Sequence, residues 1–472
     1  MKKIFILFAA ILVLSAISAH SQSFVKDLKT TEDEICIGFA ENPAGGYFIS
    51  ILRGAYQEND PALLSYRNII YNMDVQGNLA DSIVFEDNDS LRYLGGSLLL
   101  NGNELIVTSS VYSNGEANHN LALRVTRLNF DLDVTNDVLY NKPGYYLNAG
   151  AAAINGNGNL VMAIHPQLIA TGEWYAAALE LTPDGDVVRE QASGEFLPSG
   201  TVIPFDGGNG YLFTDLSMIV SLDENLNYQE MLYQHQDNDP LWSAMSSFKA
   251  VSDHECLVTG WKPWDPFDAA WAILDKNGTW QEQHSFGMNG YSDHAGGADF
   301  VRTDNIYISR AVEMAGYTDW SLYNFKLDGT ENWHHDYTYN GYHFAGFGAC
   351  ATSDNSCVLI GRYQTENSGW NEYDLVFMKL NEDGSVTGIG EPGNAKTNVS
   401  LYPNPGNDKL NVNGTVAGCQ LSIFDNAGRL VFSKTLESNN ATINVCELLP
   451  GFYTYCIDSK NETIAYGKWV KK

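Results

Sequence analysis

Aromatic side chains in the segments between predicted strands are the residues best suited to hold a ligand. The sequence has 10 Trp and 26 Tyr in 472 residues. Their flat faces suit sugar rings and apolar peptide side chains, and nearby carboxylates supply hydrogen-bond acceptors. Prolines stiffen residues 260–267, which lowers the cost of ordering that loop on binding. We predict a ligand-binding surface that includes Trp261, Trp264, Trp320, Tyr363 and Trp370.

The alternative is that these aromatic rings are buried, because large aromatic side chains also fill the space between packed strands. The same holds for the other loop aromatics, which are Tyr56, Tyr66, Tyr112, Trp174, Phe267, Tyr317 and Tyr373. Sequence alone leaves both possibilities open for each ring.

Signals for catalysis are sparse. The chain lacks the Gly-x-Ser-x-Gly and His-Glu-x-x-His motifs and any Gly-rich loop that would cradle a phosphate. A sialidase-like site needs an arginine cluster facing paired acids, and the arginines here share no repeat position. We therefore predict a non-enzymatic protein. A secreted glycan hydrolase and a purely structural surface component remain the alternatives.

Histidines and acids do not form a recognisable metal motif. His334, His335 and Asp336 are adjacent, but neighbouring residues of a strand point to opposite faces, so the two histidines are poorly placed to share an ion. No Asp-x-Asp-x-Asp-Gly loop is present, although the many acids leave calcium possible. We predict no metal site and no cofactor.

Seven cysteines are present, an odd number that leaves at least one unpaired within the chain. Cys350 and Cys357 flank one predicted hairpin turn and could form a disulfide across it.

The elements that position these residues repeat along the chain. Seven segments share an apolar strand, a turn with Asp, Asn or Gly, and a second strand, and they recur every 45 to 58 residues. A second hairpin turn follows each about 25 residues later. Two hairpins give four strands per unit, as in a β-propeller blade. The fold class predicted is all-β, with a seven-bladed β-propeller over residues 23–389 and a small Ig-like β-sandwich after it.

Two details of the repeats concern the ring itself. The first strand of several units opens with small residues, such as 95–97 and 296–298, which we expect where strands crowd around an axis. The segment Ser23–Lys29 stands where other units have their outermost strand. We predict that it completes the last blade and closes the ring.

The N-terminus predicts export. Two lysines, a short apolar run over residues 4–17 and small residues at Ser18 and Ala19 are typical of a secretory signal peptide, assigned here to residues 1–21.

Charge is divided unevenly along the chain. The formal net charge is -30, yet residues 398–472 carry seven basic and six acidic side chains. The acidity therefore belongs to the part before them, which argues against nucleic acid or anionic lipid as its partner. This change, at a stretch of Gly, Pro and Asn, predicts a linker at residues 390–397.

The C-terminal segment, residues 398–472, has short alternating strands between Asn, Gly and Pro turns, which predicts a small β-sandwich. It opens on 401–406 (Leu-Tyr-Pro-Asn-Pro-Gly), continues through 449–453 (Leu-Pro-Gly-Phe-Tyr) and ends on basic residues. This order resembles the C-terminal sorting domain of the type IX secretion system of Bacteroidetes. The residues that carry the resemblance are Tyr402, Pro403, Asn404, Pro405, Gly428, Gly451, Tyr453, Lys468, Lys471 and Lys472.

The resemblance implies that the tail directs the chain across the outer membrane through the type IX machinery and is then removed. The rest would be secreted or attached to surface polysaccharide. The repeats also loosely resemble Bacteroidetes surface propellers, through 44–47, 325–329 and 377–380. The sequence does not decide which glycan or protein such a propeller binds.

Overall fold

The computed structural model describes most of the chain after residue 22. The described residues are 23–28, 30, 32–54, 67–85, 91–113, 120–205, 209–236, 242–262, 268–287, 291–314, 317–337, 342–365, 374–386, 400–402, 406–413, 418–424, 429–438, 440–459 and 462–472. The predicted signal peptide and the predicted linker lie outside them. Among the described residues, no helix is long and apolar enough to cross a bilayer.

The first four blades each contain four strands. Blade 1 has β2 (Asp33–Glu41), β3 (Tyr47–Gly54), β4 (Arg67–Met73) and β5 (Leu79–Phe85). Blade 2 has β6 (Leu91–Asn101), β7 (Glu104–Ser113), β8 (Asn120–Leu128) and β9 (Val134–Asn141). Blade 3 has β10 (Tyr145–Ile154), β11 (Leu160–Leu168), β12 (Ala176–Leu181) and β13 (Val187–Ser193). Blade 4 has β14 (Thr201–Phe205), β15 (Gly210–Thr214), β16 (Met218–Asp223) and β17 (Tyr228–Gln234).

Three further blades complete the propeller. Blade 5 has β18 (Ala244–Ser252), β19 (Glu255–Lys262), β20 (Asp268–Asp275) and β21 (Trp280–Phe286). Blade 6 has β22 (Ser292–Arg302), β23 (Asn305–Met314), β24 (Tyr317–Phe325) and β25 (Glu331–Tyr337). Blade 7 has β26 (Tyr342–Ala351), β27 (Cys357–Thr365), β28 (Asp374–Leu380) and, from the other end of the chain, β1 (Phe24–Leu28).

Within each blade the strands pair antiparallel, in sequence order except that β1 pairs with β28, and this confirms the predicted all-β propeller of seven four-stranded units. A single parallel bridge, Thr318 to His343, links the sheets of blades 6 and 7. Apolar clusters fill the spaces between successive blades, for example Ile106 of blade 2 with Ile164 of blade 3.

The ring is closed by the N-terminal strand. β1 pairs antiparallel with β28 over five residues, from Phe24 opposite Lys379 to Leu28 opposite Leu375. Across the same junction, Glu41 of blade 1 accepts hydrogen bonds from the Ser353 amide at 2.8 Å and its hydroxyl at 2.9 Å. The prediction that the N-terminal segment supplies the missing outer strand is confirmed.

Small residues in the innermost strands allow close contacts between neighbouring blades. A β-bulge interrupts these strands in blades 1, 2, 3, 5, 6 and 7. A Cβ on Gly150 would lie 2.4 Å from the Ser199 carbonyl oxygen, at the start of the next blade. The Ala152 amide donates to the Ser97 hydroxyl of the preceding blade at 2.7 Å. Close backbone approach at the bulges thus requires the small side chains.

One turn recurs at the outer hairpin of all seven blades. Its first residue accepts a backbone hydrogen bond from the fourth, as in Gly77 N to Asp74 O at 2.9 Å, and the fourth residue has positive φ. This is a type I turn followed by a left-handed residue. The fourth residues are Gly77, Leu132, Gly185, Leu226, Gly278, Gly329 and Gly384.

The glycines of these turns lie against the outermost strand of the preceding blade. A Cβ would meet Val138 at Gly185, Leu232 at Gly278 and His284 at Gly329. At Gly77 it would meet Phe24, so β1 takes the same place as every other outermost strand. The leucines at the other two turns are buried and fill the inter-blade space themselves.

The C-terminal segment forms two packed sheets. One contains β29 (Ser400–Tyr402), β30 (Lys409–Asn413) and β33 (Asn440–Asn444), and the other contains β31 (Cys419–Phe424), β32 (Leu430–Leu436), β34 (Gly451–Ser459) and β35 (Glu462–Lys471). Side chains from both, including Leu410 and Trp469, share one core, so this segment is a β-sandwich.

The possible disulfide between Cys350 and Cys357 is not formed, and none of the seven cysteines, all of which the structure describes, is in a disulfide. In the ladder Cys350 faces Val358 and Cys357 faces Ala351. Because successive residues alternate between faces, the two thiols point to opposite sides of the sheet.

We expect Gly329→Ala to destabilise the protein more than Gly144→Ala. Both glycines have nearly the same φ, +84° and +83°, so the backbone strain of about 1 kcal/mol is shared. At Gly144 nothing lies within 4 Å of the new Cβ, whereas at Gly329 it would lie 1.9 Å from His284. Chemical denaturation should show an extra loss of about 2 kcal/mol for Gly329→Ala. Equal losses would contradict the inter-blade contact.

Deleting Ser23–Leu28 should lower the melting temperature of the mature chain by more than about 5 °C, because five ladder pairs and the buried Phe24 are lost. Replacing these residues by a Gly-Ser segment of equal length should have the same effect. An unchanged melting curve for both variants would show that β1 does not close the ring.

Candidate functional site

Two kinds of connection meet at one end of the propeller. In a four-stranded antiparallel blade, the loop after the second strand and the link to the next blade leave from the same end of the sheet. We call this end the mouth face. It carries most of the predicted ligand-binding segments.

The predicted ligand-binding residues take different positions. Trp261, the second-last residue of β19, is half-buried, and its ring centroid lies 4.9 Å from that of His294. Trp320 is fully buried, and a Cβ on Gly361 of the next blade would touch its ring. Tyr363 is buried in the same apolar cluster as Trp320, so neither ring is presented to solvent. Trp264 and Trp370 lie outside the described residues.

An exposed aromatic group stands on the mouth face between blades 3 and 4. We call it the mouth patch: His165 in the second half of β11, Trp174 in the following loop and Phe196 in the link to blade 4. The Phe196 ring stacks on His165 with centroids 5.1 Å apart, and the Trp174 ring meets Phe196 edge-on at 6.2 Å. Trp174 is 59% exposed and Phe196 40%. Two large rings thus face solvent in one fixed arrangement.

His165 orients this group. Its Nε2 donates to the Leu197 carbonyl oxygen at 2.8 Å, and burial lowers the pKa of the ring. The imidazole is therefore neutral at pH 7 and offers an apolar face to Phe196. Sequence reasoning considered Trp174 but missed Phe196, whose only signal is an aromatic residue in the Gly194–Gly200 link.

A cleft of about 410 Å³ opens between the outermost strands of blades 5 and 6. We call it the blade 5–6 cleft. Its lining comprises His284, Ser285, Phe286, Gly287, Arg310, Tyr323, Phe325, Gly329, Glu331, His334 and Asp336. No sequence motif marks it, because its residues come from four strands and one turn.

Arg310 lies at the base of this cleft with its side chain 1% exposed. It donates to the Tyr323 hydroxyl at 2.8 Å and to the Ser321 hydroxyl at 3.1 Å, and its guanidinium lies over the Tyr323 ring. The buried Asp293 carboxylate is 3.7 Å from Nε, which has no hydrogen-bond partner. Burial raises the pKa of Tyr323, so its hydroxyl stays protonated.

A second buried acid–arginine pair lies elsewhere. In blade 1, Arg53 contacts the fully buried Glu34 at 2.6 Å and also the Tyr71 hydroxyl. Burial raises the pKa of Glu34, although Arg53 opposes the shift. Because the two pairs belong to blades 1 and 6, they do not combine into one arginine cluster facing paired acids.

The adjacent histidines of β25 point apart, as predicted for an outermost strand. His334 stacks on Tyr323 with centroids 4.8 Å apart and contacts Glu331 at 2.7 Å. His335 Nε2 instead donates to the Asp383 carbonyl oxygen of the next blade at 3.0 Å. Across the described part of the chain, no group of three or more His, Cys, Asp or Glu is arranged to hold a metal ion.

The basic end of the tail is partly structural. Lys471 is buried, and its Nζ contacts Asp408 at 3.1 Å and donates to the Val445 carbonyl oxygen at 2.6 Å. Lys472 is exposed, while its amide donates to the Gly406 carbonyl oxygen at 2.8 Å. The backbone of Lys468 lies in β35.

The other predicted sorting residues divide between surface and core. Tyr402 is 49% exposed at the end of β29, whereas Tyr453 is buried and donates to the Leu449 carbonyl oxygen at 2.7 Å. Gly451 begins β34. The remaining residues, Pro403, Asn404, Pro405 and Gly428, lie outside the described part.

Comparison with protein families identifies this tail. Residues 400–472 match the model of the secretion system C-terminal sorting domain, which confirms the resemblance to the type IX sorting domain. A chain with this domain is exported towards the outer cell surface in association with the type IX secretion machinery. No curated protein matches the sequence.

The similar solved structures include two that are distant from this chain in sequence and in structure. PorZ, described as a surface component of the type IX secretion system of Porphyromonas gingivalis, is 9% identical, with a TM-score of 0.28 over 93% of this chain and 81% of PorZ. The Pan2 WD40 domain of Neurospora crassa is 12% identical, with a TM-score of 0.42 over 75% of this chain and 98% of that domain. These likenesses are too distant to transfer a function.

Lys471→Met should loosen the tail, whereas Lys472→Met should not. The first change removes the Lys471 hydrogen bonds to Asp408 and to the buried Val445 carbonyl oxygen, which keeps only the Leu448 amide as donor, and the second removes an exposed charge. Hydrogen exchange of the full chain should show faster exchange in β33 and β35 for Lys471→Met alone. Identical exchange in both variants would mean that Lys471 does not hold the strands together.

Proposed function

We propose that the protein is an exported, non-enzymatic propeller that binds a glycan at its mouth face, with the sorting domain delivering it to the cell exterior. The mouth patch carries this proposal. Two exposed rings, fixed by His165 at the junction of two blades, form a platform of the kind on which sugar rings stack.

Charge around the platform favours a neutral or basic ligand. The propeller and its flanking segments carry more net negative charge than the whole chain, with 51 acidic against 18 basic residues outside the signal peptide and the tail. Such a surface repels phosphate backbones and anionic lipids. Glu173 and Glu195, each next to a ring of the mouth patch, supply acceptors for hydroxyl groups.

The rival function is glycan hydrolysis. Hydrolysis commonly requires two carboxyl groups flanking the scissile bond, and the sialidase-like variant also needs several arginines together. The two buried acid–arginine pairs among the described residues lie in different blades, so they do not form one site. This separation favours binding over turnover.

After export, we propose that the tail is removed and the propeller is released or linked to surface polysaccharide. The resemblance of residues 398–472 to the sorting domain supports this step. The propeller that remains would be more acidic than the whole chain, since the tail carries one net positive charge.

A glycan array combined with a hydrolysis assay on the same glycans tests the proposal. We expect binding without turnover. The double variant Trp174→Ala/Phe196→Ala should lower affinity at least about tenfold, because stacking on the rings is lost. Leu216→Ala, also an exposed apolar residue on the mouth face, is the control and should bind as the wild type. Turnover of a bound glycan, or full binding by the double variant, would overturn the proposal.

The segment 260–267 gives a separate test of the same face. If the ligand extends across it, Trp261→Ala/Trp264→Ala should also weaken binding several-fold, again because aromatic stacking area is lost. Unchanged affinity would confine the ligand to blades 3 and 4.

A further inference from the structure

A cluster of polar side chains at the junction of blades 2 and 3 contacts the loop that carries Trp174. Its centre is Glu190 of β13, whose side chain is 21% exposed. One carboxylate oxygen, Oε1, accepts from Lys142 Nζ at 2.6 Å and from the Tyr175 hydroxyl at 2.9 Å. The other, Oε2, accepts from the Tyr140 hydroxyl at 3.1 Å. We call these four residues, Glu190, Lys142, Tyr175 and Tyr140, the Glu190 cluster.

The cluster is joined to the mouth patch through two consecutive residues. Trp174 contacts Phe196 of the link to blade 4, with ring centroids 6.2 Å apart. Tyr175 points the other way, because neighbouring residues of an extended segment alternate between faces. Its ring meets Tyr145 edge-on, with centroids 6.0 Å apart. The orientation of Trp174 is therefore coupled to the position of Tyr175 on the opposite side of the loop.

The backbone of this loop is closed mainly on itself. The Leu168 amide donates to the Glu173 carbonyl oxygen at 2.7 Å, and the Gly172 amide donates to the Leu168 carbonyl oxygen at 2.8 Å. The Ile169 amide donates to the Gly144 carbonyl oxygen at 3.0 Å, in the link from blade 2. Side-chain contacts supply the further anchors of the loop, and the hydroxyl of Tyr175 makes one of them.

Lys142 holds the same tyrosine from a second direction. Its Nζ lies 5.4 Å from the Tyr145 ring centroid and 5.5 Å from that of Tyr175, as in a cation–π contact. Burial opposes the charge of Lys142, but hydrogen bonds with Glu190 and Tyr175 raise its pKa overall. Burial also opposes ionisation of Glu190, but hydrogen bonds from Lys142 and Tyr175 lower its pKa overall. Both groups are therefore charged at pH 7, which strengthens the hydrogen bonds that they share.

A fixed Trp174 matters to any ligand that stacks on its ring. Immobilising a mobile side chain or loop on binding costs free energy, so a surface that is already ordered binds more tightly. Trp174 is 59% exposed, and solvent alone would not hold it in one orientation. The contacts on the opposite side of the loop are those that can do so.

We propose that Glu190 is a positioning residue of the mouth patch, which fixes Tyr175 and thereby the orientation of Trp174 before a ligand binds. Glu190 acts through Tyr175 and has no part in the ligand contact itself. The consequence for affinity rests on the proposed glycan binding, whereas the orientation of Trp174 is a property of the free protein. The two parts are therefore tested separately.

Tyr175→Phe and Tyr140→Phe form a matched pair. Each removes one hydroxyl group that donates to Glu190, but only Tyr175 belongs to the loop. Fluorine NMR of the full mature chain labelled with fluorotryptophan reports the mobility of Trp174 without a ligand, and Trp174→Phe assigns its signal. We expect a broadened or shifted Trp174 signal in Tyr175→Phe and the wild-type signal in Tyr140→Phe.

Substitutions of Glu190 give a second comparison. Glu190→Ala should broaden or shift the Trp174 signal, because Tyr175 and Lys142 lose their shared partner. Glu190→Gln keeps an oxygen that accepts from the Tyr175 hydroxyl and should restore most of the wild-type signal. A purely structural Glu190 would lower the melting temperature of Glu190→Ala and leave the Trp174 signal of the folded protein unchanged.

Calorimetry measures the consequence for binding, with cellohexaose, xylohexaose and N-acetylated chitohexaose as neutral probes. For each probe that the wild type binds, Tyr175→Phe and Glu190→Ala should lower the affinity about three- to tenfold, because the loop must be ordered on binding. Tyr140→Phe should bind as the wild type.

Three results would overturn the proposal. They are a wild-type Trp174 signal in both Tyr175→Phe and Glu190→Ala, equal effects of Tyr175→Phe and Tyr140→Phe, and wild-type affinity in variants whose Trp174 signal has changed. If no glycan of the array binds the wild type but the Trp174 signal responds as expected, the proposed function fails and the positioning of Trp174 by Glu190 stands. The two failures are thus distinguishable.

Discussion

The packing of each blade on the outermost strand of the preceding blade is the contact on which the propeller depends. A four-stranded sheet is apolar on both faces here, so no blade can bury its surface alone. The outer turn of each blade lies against its neighbour, and a left-handed residue at the fourth position allows the approach. Five turns use glycine there, and Leu132 and Leu226 occupy the space with their own side chains. Each filled junction therefore contributes to the stability of the ring.

The blade 5–6 cleft arises where this packing changes chemistry. At three other glycine turns the neighbouring strand offers Phe24, Val138 or Leu232, and at Gly384 it offers His335 and Trp333. At Gly329 it offers His284, and Arg310 with its acids lies behind. The outermost strands that make this junction, β21 and β25, therefore also line the cleft.

The repeat pattern predicted the propeller because hairpin turns have strong local signals. Asp, Asn and Gly at the outer turns indicated the strand count, and the position of Ser23–Lys29 indicated closure. The sorting tail was equally readable from its order of turns and strands. The contacts that the small residues of the innermost strands make could not be read from the sequence, because they depend on the approach of backbone from a neighbouring blade. Sequence gave no sign that Gly150 lies against Ser199.

The sites were harder to predict, because burial depends on contacts between blades. Trp320 and Tyr363 look like loop aromatics in sequence, yet both pack in the interior, where a Cβ on Gly361 would touch the Trp320 ring. Phe196 has no motif, and its exposure follows from its place in a link beside His165. Arg310 belongs to an ordinary strand pattern. Only the fold shows that it shares a cleft with His334 and Asp336.

Closure by β1 also decides how the propeller carries mechanical load. β28 is the last propeller strand before the tail, and it is bonded to β27 on one side and β1 on the other. An edge strand at this position could be peeled away one hydrogen bond at a time. A strand held on both sides must instead slide against two ladders together. Tension applied through the tail during export would thus meet the ring at a strand that is paired on both sides.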